Sequence, residues 1–149
     1  MEEFITRNKL TNLVNLFLDF FLYSSYNKYN NIENSGAIME ILFKTKKLQK
    51  EFNDERILLR VYGELASKIK LRMSVLRNAN NLNDVPSKPP DRCHELTANR
   101  SGQFAVDLSG NYRLVFKPTE NPPPKQDDGG ISREKVISIT IIEVVNYHE

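Results

Sequence analysis

Residues 104–116 read FAVDLSGNYRLVF and give the clearest fold signal in the chain. Apolar and polar side chains alternate on both sides of a Ser-Gly-Asn triplet, which is typical of two strands joined by a tight turn. A three-residue turn places the large apolar side chains on one face and pairs Asp107 with Arg113 on the other. This register puts Asn111 in the left-handed conformation. The predicted pairs on the buried face are Phe104–Phe116, Val106–Leu114 and Leu108–Tyr112.

The flanking segments predict further strands. Residues 40–44 alternate like a short strand. Residues 136–145 are apolar at both odd and even positions, which is typical of a central strand covered on both faces. Residues 78–90 and 119–130 are rich in Pro, Asn and Gly and are predicted to be loops.

Two helices are expected between the first strand and the hairpin. Thr45 can cap a short helix, and Asn53 or Asp54 can cap a longer one. Gly63 in the longer helix costs about 1 kcal/mol relative to Ala and allows a local break. The apolar stripe of the longer helix consists of Leu58, Val61, Leu65, Ile69, Met73 and Leu76. The sequence therefore predicts an α+β domain with two helices packed on an antiparallel sheet.

Residues 1–38 form a distinct N-terminal extension by composition. The segment 10–23, LTNLVNLFLDFFLY, is interrupted by Asn and Asp and predicts a short amphipathic helix rather than a signal peptide. Residues 24–35 read as a polar linker. The codons for Gly36 and Ala37 can form a purine-rich ribosome-binding site just upstream of Met39. We therefore hypothesise that Met39 is the natural start, and a Gly36 codon other than GGA or GGG would remove this argument.

Composition excludes several classes of protein. The chain has 149 residues and a net charge of +2, which suits one soluble globular domain. Cys93 is the one cysteine, so no intramolecular disulfide can form. The sequence contains no run of 18 apolar residues, no pair of ligands at metal-site spacing and no glycine-rich phosphate loop. We expect neither a metal nor another cofactor.

Polar residues near the predicted strand ends remain as candidates for chemistry: His94, Arg100, Arg113 and the terminal residues 146–149, NYHE. RNA cleavage requires a base, an acid and a cation beside the phosphate, which His, Tyr and Arg can supply. Residues 44–77 contain ten basic and four acidic residues, a balance that suits a phosphate-rich partner. The alternative is structural: His94 is a hydrogen-bonded loop residue, Arg113 pairs with Asp107, and the chain is a small basic domain.

Three segments bear on the choice between an RNA-cleaving protein and a small basic domain. They are RCHEL at 92–96, NRSGQFAVDL at 99–108 and NYRLVF at 111–116. In order and spacing they resemble the RelE/ParE toxin superfamily, most closely its HigB-type branch of plasmid maintenance killer proteins. MEILFKT at 39–45 and NYH at 146–148 also fit that branch. The resemblance covers residues 39–149, and residues 1–38 have no counterpart in it.

The resemblance implies a fold of two N-terminal helices against a small twisted antiparallel sheet. It implies the toxin of a type II toxin-antitoxin system in the bacterial cytoplasm. The activity implied is metal-independent, ribosome-dependent cleavage of mRNA that leaves a 2′,3′-cyclic phosphate. The implied partners are the ribosome with its mRNA and a helix-turn-helix antitoxin of the HigA type.

The resemblance also assigns roles to residues. His94, Tyr147, His148 and Arg113 match the positions of the active site, and Arg100 matches a basic loop residue that binds phosphate. Basic residues at the start of the domain would hold ribosomal RNA, namely Lys44, Lys46 and Lys47. Two positions depart from the pattern: Asn146 replaces an acidic residue, and Thr97 replaces a common Lys.

Two alternatives stay open at this point. The ParE branch of the superfamily implies a non-enzymatic inhibitor of DNA gyrase, which needs no proton-transfer groups; His94, Tyr147 and His148 argue against it. A degenerate toxin that only binds its antitoxin is the second alternative, and the departures at Asn146 and Thr97 keep it open.

Overall fold

In the computed structural model, which describes residues 38–147, five strands form one sheet and three α-helices follow the first strand. The strands are β1 (Glu40–Phe43), β2 (His94–Glu95), β3 (Phe104–Ser109), β4 (Tyr112–Pro118) and β5 (Ser138–Asn146). The helices are α1 (Lys46–Asn53), α2 (Glu55–Tyr62) and α3 (Leu65–Asn78). The strand order across the sheet is β1-β5-β4-β3-β2. The expected α+β class is thus confirmed for this part of the chain.

Some predictions fall on residues that the structure does not describe. The amphipathic helix at 10–23, the linker at 24–35 and the side chain of His148 all lie outside the described residues. Within residues 38–147, no helix is long and apolar enough to cross a membrane.

The first two helices begin at the predicted caps, but the described residues form three helices instead of two. Thr45 Oγ1 accepts a hydrogen bond from Leu48 N at 3.1 Å, and Asp54 Oδ1 accepts from two amides at the start of α2. The predicted longer helix breaks at Gly63, which adopts a φ of +53° that favours glycine. Val61, which was predicted to belong to the apolar stripe, is 49% exposed.

The hairpin register is confirmed for most of its length. Phe104 lies opposite Phe116, Val106 opposite Leu114 and Asp107 opposite Arg113. The predicted Leu108–Tyr112 pair is wrong, because a bulge at Leu108 places Ser109 opposite Tyr112. The turn therefore has two residues. Gly110, with a φ of +51°, takes the left-handed position predicted for Asn111, since glycine has no Cβ to clash there.

The sheet is mixed, so the prediction of a purely antiparallel sheet is wrong. β1 pairs with β5 in parallel, with Ile41 opposite Ile139, whereas the other three strand pairs are antiparallel. A parallel pair needs a long crossover connection, and here the helices and the other strands lie between the two strands in sequence. Apolar alternation within a strand does not report its direction.

The two faces of the sheet differ. One face packs against the helices and forms the main core with residues such as Ile69, Leu76, Phe104 and Leu114. The opposite face, called here the outer face, has only a small apolar cluster of Leu96, Ala105 and Val115 with Ile142 and Val145 beside it. Strand residues that are not needed for the main core are therefore free to place polar groups on the outer face.

Candidate functional site

Strand register arranges the outer face in rows that run across the sheet. His94, Ala105, Val115 and Glu143 form one row from β2 to β5. Asp107, Arg113 and Val145 form the next row. Neighbouring rows are about 7 Å apart along each strand, because two residues rise by that distance.

His94 is exposed on β2, and one of its ring nitrogens is engaged. Its Nδ1 lies 2.7 Å from the carbonyl oxygen of Arg92. Since a carbonyl can only accept, Nδ1 is the donor, and in the neutral imidazole Nε2 has a free lone pair. His94 therefore presents a nitrogen that can accept a proton.

Arg113 is held firmly by its neighbours. Its Nε lies 2.9 Å from Asp107 Oδ1, which confirms the predicted cross-strand pair. Its Nη1 donates to the carbonyls of Gly110 and Tyr112 at 2.8 and 3.0 Å. The Arg113 side chain is 22% exposed, so most of its hydrogen-bonding capacity serves the hairpin.

Arg100 crosses the sheet from the β2–β3 connection to β5. Its Nη2 lies 2.7 Å from Glu143 Oε1, and its Nη1 donates to Gln103 Oε1 at 3.4 Å. The guanidinium that was predicted to bind phosphate is thus paired with a carboxylate. Three of its five N–H groups are not used by these two bonds.

Tyr147 follows β5 and continues the alternation of Glu143 and Val145, so it belongs to the outer face. Its backbone N donates to Asn111 O at 3.1 Å, and the residue is 45% exposed. Asn146 lies opposite Tyr112 in the β4–β5 pair. The hairpin turn therefore fixes the backbone of the terminal segment at Tyr147.

The structure does not bring all predicted site residues together. His94 on β2 and Tyr147 after β5 share the outer face, but β3 and β4 lie between their strands. Lys44, Lys46 and Lys47 lie at the end of β1 and the start of α1, at the opposite edge of the sheet from His94. Five strands at about 4.8 Å spacing put these edges roughly 19 Å apart. Lys47 also approaches Glu51 at 4.0 Å.

A buried polar scaffold supports the segment before His94. Arg72 on α3 donates from Nε to Asp107 O at 2.6 Å and from Nη2 to Pro90 O at 3.1 Å. It also forms an ion pair with buried Asp91 at 3.4 Å. Burial raises the pKa of the adjacent Cys93 thiol to about 11, Arg133 opposes this shift and Asp91 adds to it. Cys93 is therefore an unreactive core thiol rather than a nucleophile.

Sequence reasoning missed two polar residues of this face, Arg92 and Glu143. Arg92 has a φ of +47°, which is rare for a residue with a side chain, and its carbonyl holds His94. Glu143 lies within a strand that reads as apolar. The sequence did contain one signal for Glu143. It precedes Val145 and Tyr147 at intervals of two residues, which places all three on the same face of a strand. Among residues 38–147, no three His, Cys, Asp or Glu side chains are grouped as metal ligands.

The comparison with protein families identifies a toxin family. Residues 41–122, more than half of the chain, match the family described as the RelE-like toxin of the type II toxin-antitoxin system HigB. The matched segment spans β1, the helices, β2, β3 and β4. A comparison with curated proteins finds no match.

Proposed function

Because the chain belongs to the family of HigB-like, RelE-like toxins of type II toxin-antitoxin systems, we propose that it cleaves mRNA on the ribosome. Membership in a type II family implies an antitoxin partner, and we propose a helix-turn-helix protein of the HigA type. The proposed place of action is the bacterial cytoplasm, where translating ribosomes are found.

One observation supports the nuclease most directly. His94 donates from Nδ1 to the Arg92 carbonyl, so its Nε2 is directed to act as a proton acceptor when the ring is neutral. A fixed tautomer of an exposed histidine is what a general base requires. A gyrase inhibitor would have no use for this arrangement.

In the proposed reaction a base takes the proton of the ribose 2′-hydroxyl. The 2′-oxygen then attacks the phosphorus, the bond from phosphorus to the 5′-oxygen breaks, and an acid protonates that oxygen. The products are a 2′,3′-cyclic phosphate and a 5′-hydroxyl end. We propose His94, Tyr147 and His148 as the proton-transfer groups, with Arg113 and Arg100 near the phosphate charge.

The lysines at the β1 edge have a different proposed role. Lys44, Lys46 and Lys47 are exposed and lie at the opposite edge of the sheet from His94. We propose that they bind ribosomal RNA beside the decoding site. Such contacts make binding weaker at higher salt, because each releases counterions.

Purified protein, ribosomes and a short translated mRNA test the proposal. We expect cleavage only when the ribosome is present, with product ends that carry a cyclic phosphate and a 5′-hydroxyl. His94→Gln should lower the cleavage rate constant about a hundredfold, the usual contribution of a general base. Cleavage of free mRNA at the same rate, or 5′-phosphate ends, would contradict this mechanism.

A further inference from the structure

We propose that Arg92 binds the phosphate to be cleaved, beside His94 on the outer face. Arg92 was not among the residues that the sequence singled out for chemistry. The inference rests on the proposed function for its substrate, an RNA phosphate. The binding of the phosphate itself can be tested independently of cleavage.

Arg92 lies two residues before His94, where β2 begins, and outside the regular strand pairing. Asp107 N donates to Asp91 O at 2.8 Å, and Arg92 has a φ of +47°, so the backbone departs from the β2–β3 register at this point. The ion pair from Arg92 Nε to Asp107 Oδ2 at 3.9 Å places the Arg92 guanidinium beside Asp107. Arg92 therefore joins the row of Asp107, Arg113 and Val145. Along the strand direction, this row is the neighbour of the row that contains His94.

The two arginines of this row differ in availability. Arg113 is 22% exposed and donates to Asp107 and to two backbone carbonyls. The Arg92 side chain is 61% exposed, and its 3.9 Å approach to Asp107 is longer than a hydrogen bond. Arg92 can therefore offer a planar pair of N–H groups to a phosphate while Arg113 keeps the hairpin in place.

The charge balance of the row also favours an anion. Asp107 contributes one negative charge and is shared by two guanidinium groups, Arg92 and Arg113. One positive charge is left over beside His94. On the neighbouring row, by contrast, Glu143 balances Arg100 at 2.7 Å. The surplus charge thus lies at Arg92 rather than at Arg100.

The backbone of Arg92 links phosphate binding to the base. Its carbonyl accepts the Nδ1 hydrogen bond of His94, and its amide donates to Lys88 O at 3.0 Å. Arg92 adopts a φ of +47° in this arrangement. Asparagine tolerates this conformation, so Arg92→Asn removes the guanidinium and keeps the carbonyl in place.

The first test measures phosphate binding by calorimetric titration of the full chain with guanosine 3′-monophosphate. Arg92→Asn should weaken binding about tenfold or more, as expected for loss of a charge-assisted hydrogen-bonding pair. Arg92→Lys should recover part of the affinity. Lys125→Asn, which removes an exposed charge in the loop after β4, is the matched control and should leave the affinity unchanged. Thermal melting verifies that each variant is folded.

The second test measures ribosome-dependent cleavage by the same variants. Arg92→Asn should lower kcat about a hundredfold, because it removes one preorganised hydrogen-bond donor to the charge that develops in the transition state. The KM for ribosomes loaded with mRNA should change little. A KM effect alone would assign Arg92 to ribosome binding and overturn the inference.

The two tests separate the inference from the proposed function. If the wild type does not cleave mRNA but Arg92→Asn still weakens nucleotide binding relative to Lys125→Asn, the nuclease proposal fails and the phosphate site stands. If Arg92→Asn binds the nucleotide as well as the wild type, the phosphate site is wrong whatever the cleavage result. Absence of wild-type binding in the millimolar range also overturns it.

Discussion

Arg100 and Glu143 form an ion pair of 2.7 Å that joins the β2–β3 connection to β5 across two intervening strands. Their side chains are 30% and 41% exposed. The pair therefore holds the loop that follows His94 against the strand that leads to Tyr147. The ion pair links the two halves of the candidate site, although Arg100 and Glu143 are far apart in sequence.

A double-mutant cycle should detect this link. Arg100→Ala, Glu143→Ala and the double variant are expected to show a coupling of about 0.5–1 kcal/mol, because solvent screens a partly exposed pair. Urea unfolding of the four proteins measures it. Strictly additive losses would show that the pair does not join the loop to β5.

The buried Arg72 should matter far more for stability. Replacement by Met leaves Asp91 without its cation and leaves the carbonyls of Asp107 and Pro90 without their donor. We expect a loss of about 3–5 kcal/mol in unfolding free energy, the usual effect of breaking a buried pair. The exposed Arg60→Met on α2 should change stability by less than about 0.5 kcal/mol. Equal effects of the two variants would contradict this description of the scaffold.

Stability should fall as the pH rises from about 9 to 11 because of Cys93. Burial raises the pKa of its thiol from 9.0 to about 11 in the folded chain. In that window the unfolded chain binds fewer protons than the folded chain, so the free energy of unfolding decreases with pH. The resulting loss in the free energy of unfolding is at most about 2–3 kcal/mol, because a pKa difference of one between the folded and unfolded chain corresponds to about 1.36 kcal/mol.

The contribution of Cys93 is fully present below pH 9 and is lost as the pH approaches 11. Cys93→Ala should therefore decline less steeply than the wild type over this window in urea unfolding. A difference between the two proteins that does not change with pH would show that the thiol titrates alike in both states.

Removal of the terminal proton-transfer groups should abolish toxicity without unfolding the domain. Tyr147→Phe combined with His148→Ala deletes two of the three proposed groups and leaves the backbone bond of Tyr147 to Asn111 intact. Growth of bacteria that express the double variant measures the effect, and circular dichroism measures folding. Growth arrest as strong as with the wild type would rule out the proposed roles of both residues.

Most of the fold was predictable because it depends on local patterns. The alternation through Phe104 to Phe116 determined both strands and most of their register. Thr45 and Asp54 could be identified as helix caps because their oxygens act on nearby amides. The bulge at Leu108 and the parallel placement of β1 were not predictable, since both depend on how distant strands meet.

The candidate site was predictable only in part. The sequence motifs identify His94 and Tyr147 as candidates. Only the strand order shows that β3 and β4 separate the two residues. Glu143 gains its significance from strand register, and Arg92 from its approach to Asp107 and one unusual backbone angle. No sequence pattern indicates that a second arginine will approach Asp107, which Arg113 already pairs.

Transcriptome-wide mapping of new mRNA 5′ ends, after brief expression of the chain in bacteria, tests the central claim most directly. We predict new ends confined to translated reading frames, at a fixed phase within codons, and their absence with His94→Gln. Growth arrest without new ends, accompanied by DNA-damage signalling, would contradict the nuclease and indicate gyrase inhibition. No effect on growth would indicate a toxin that only binds its antitoxin.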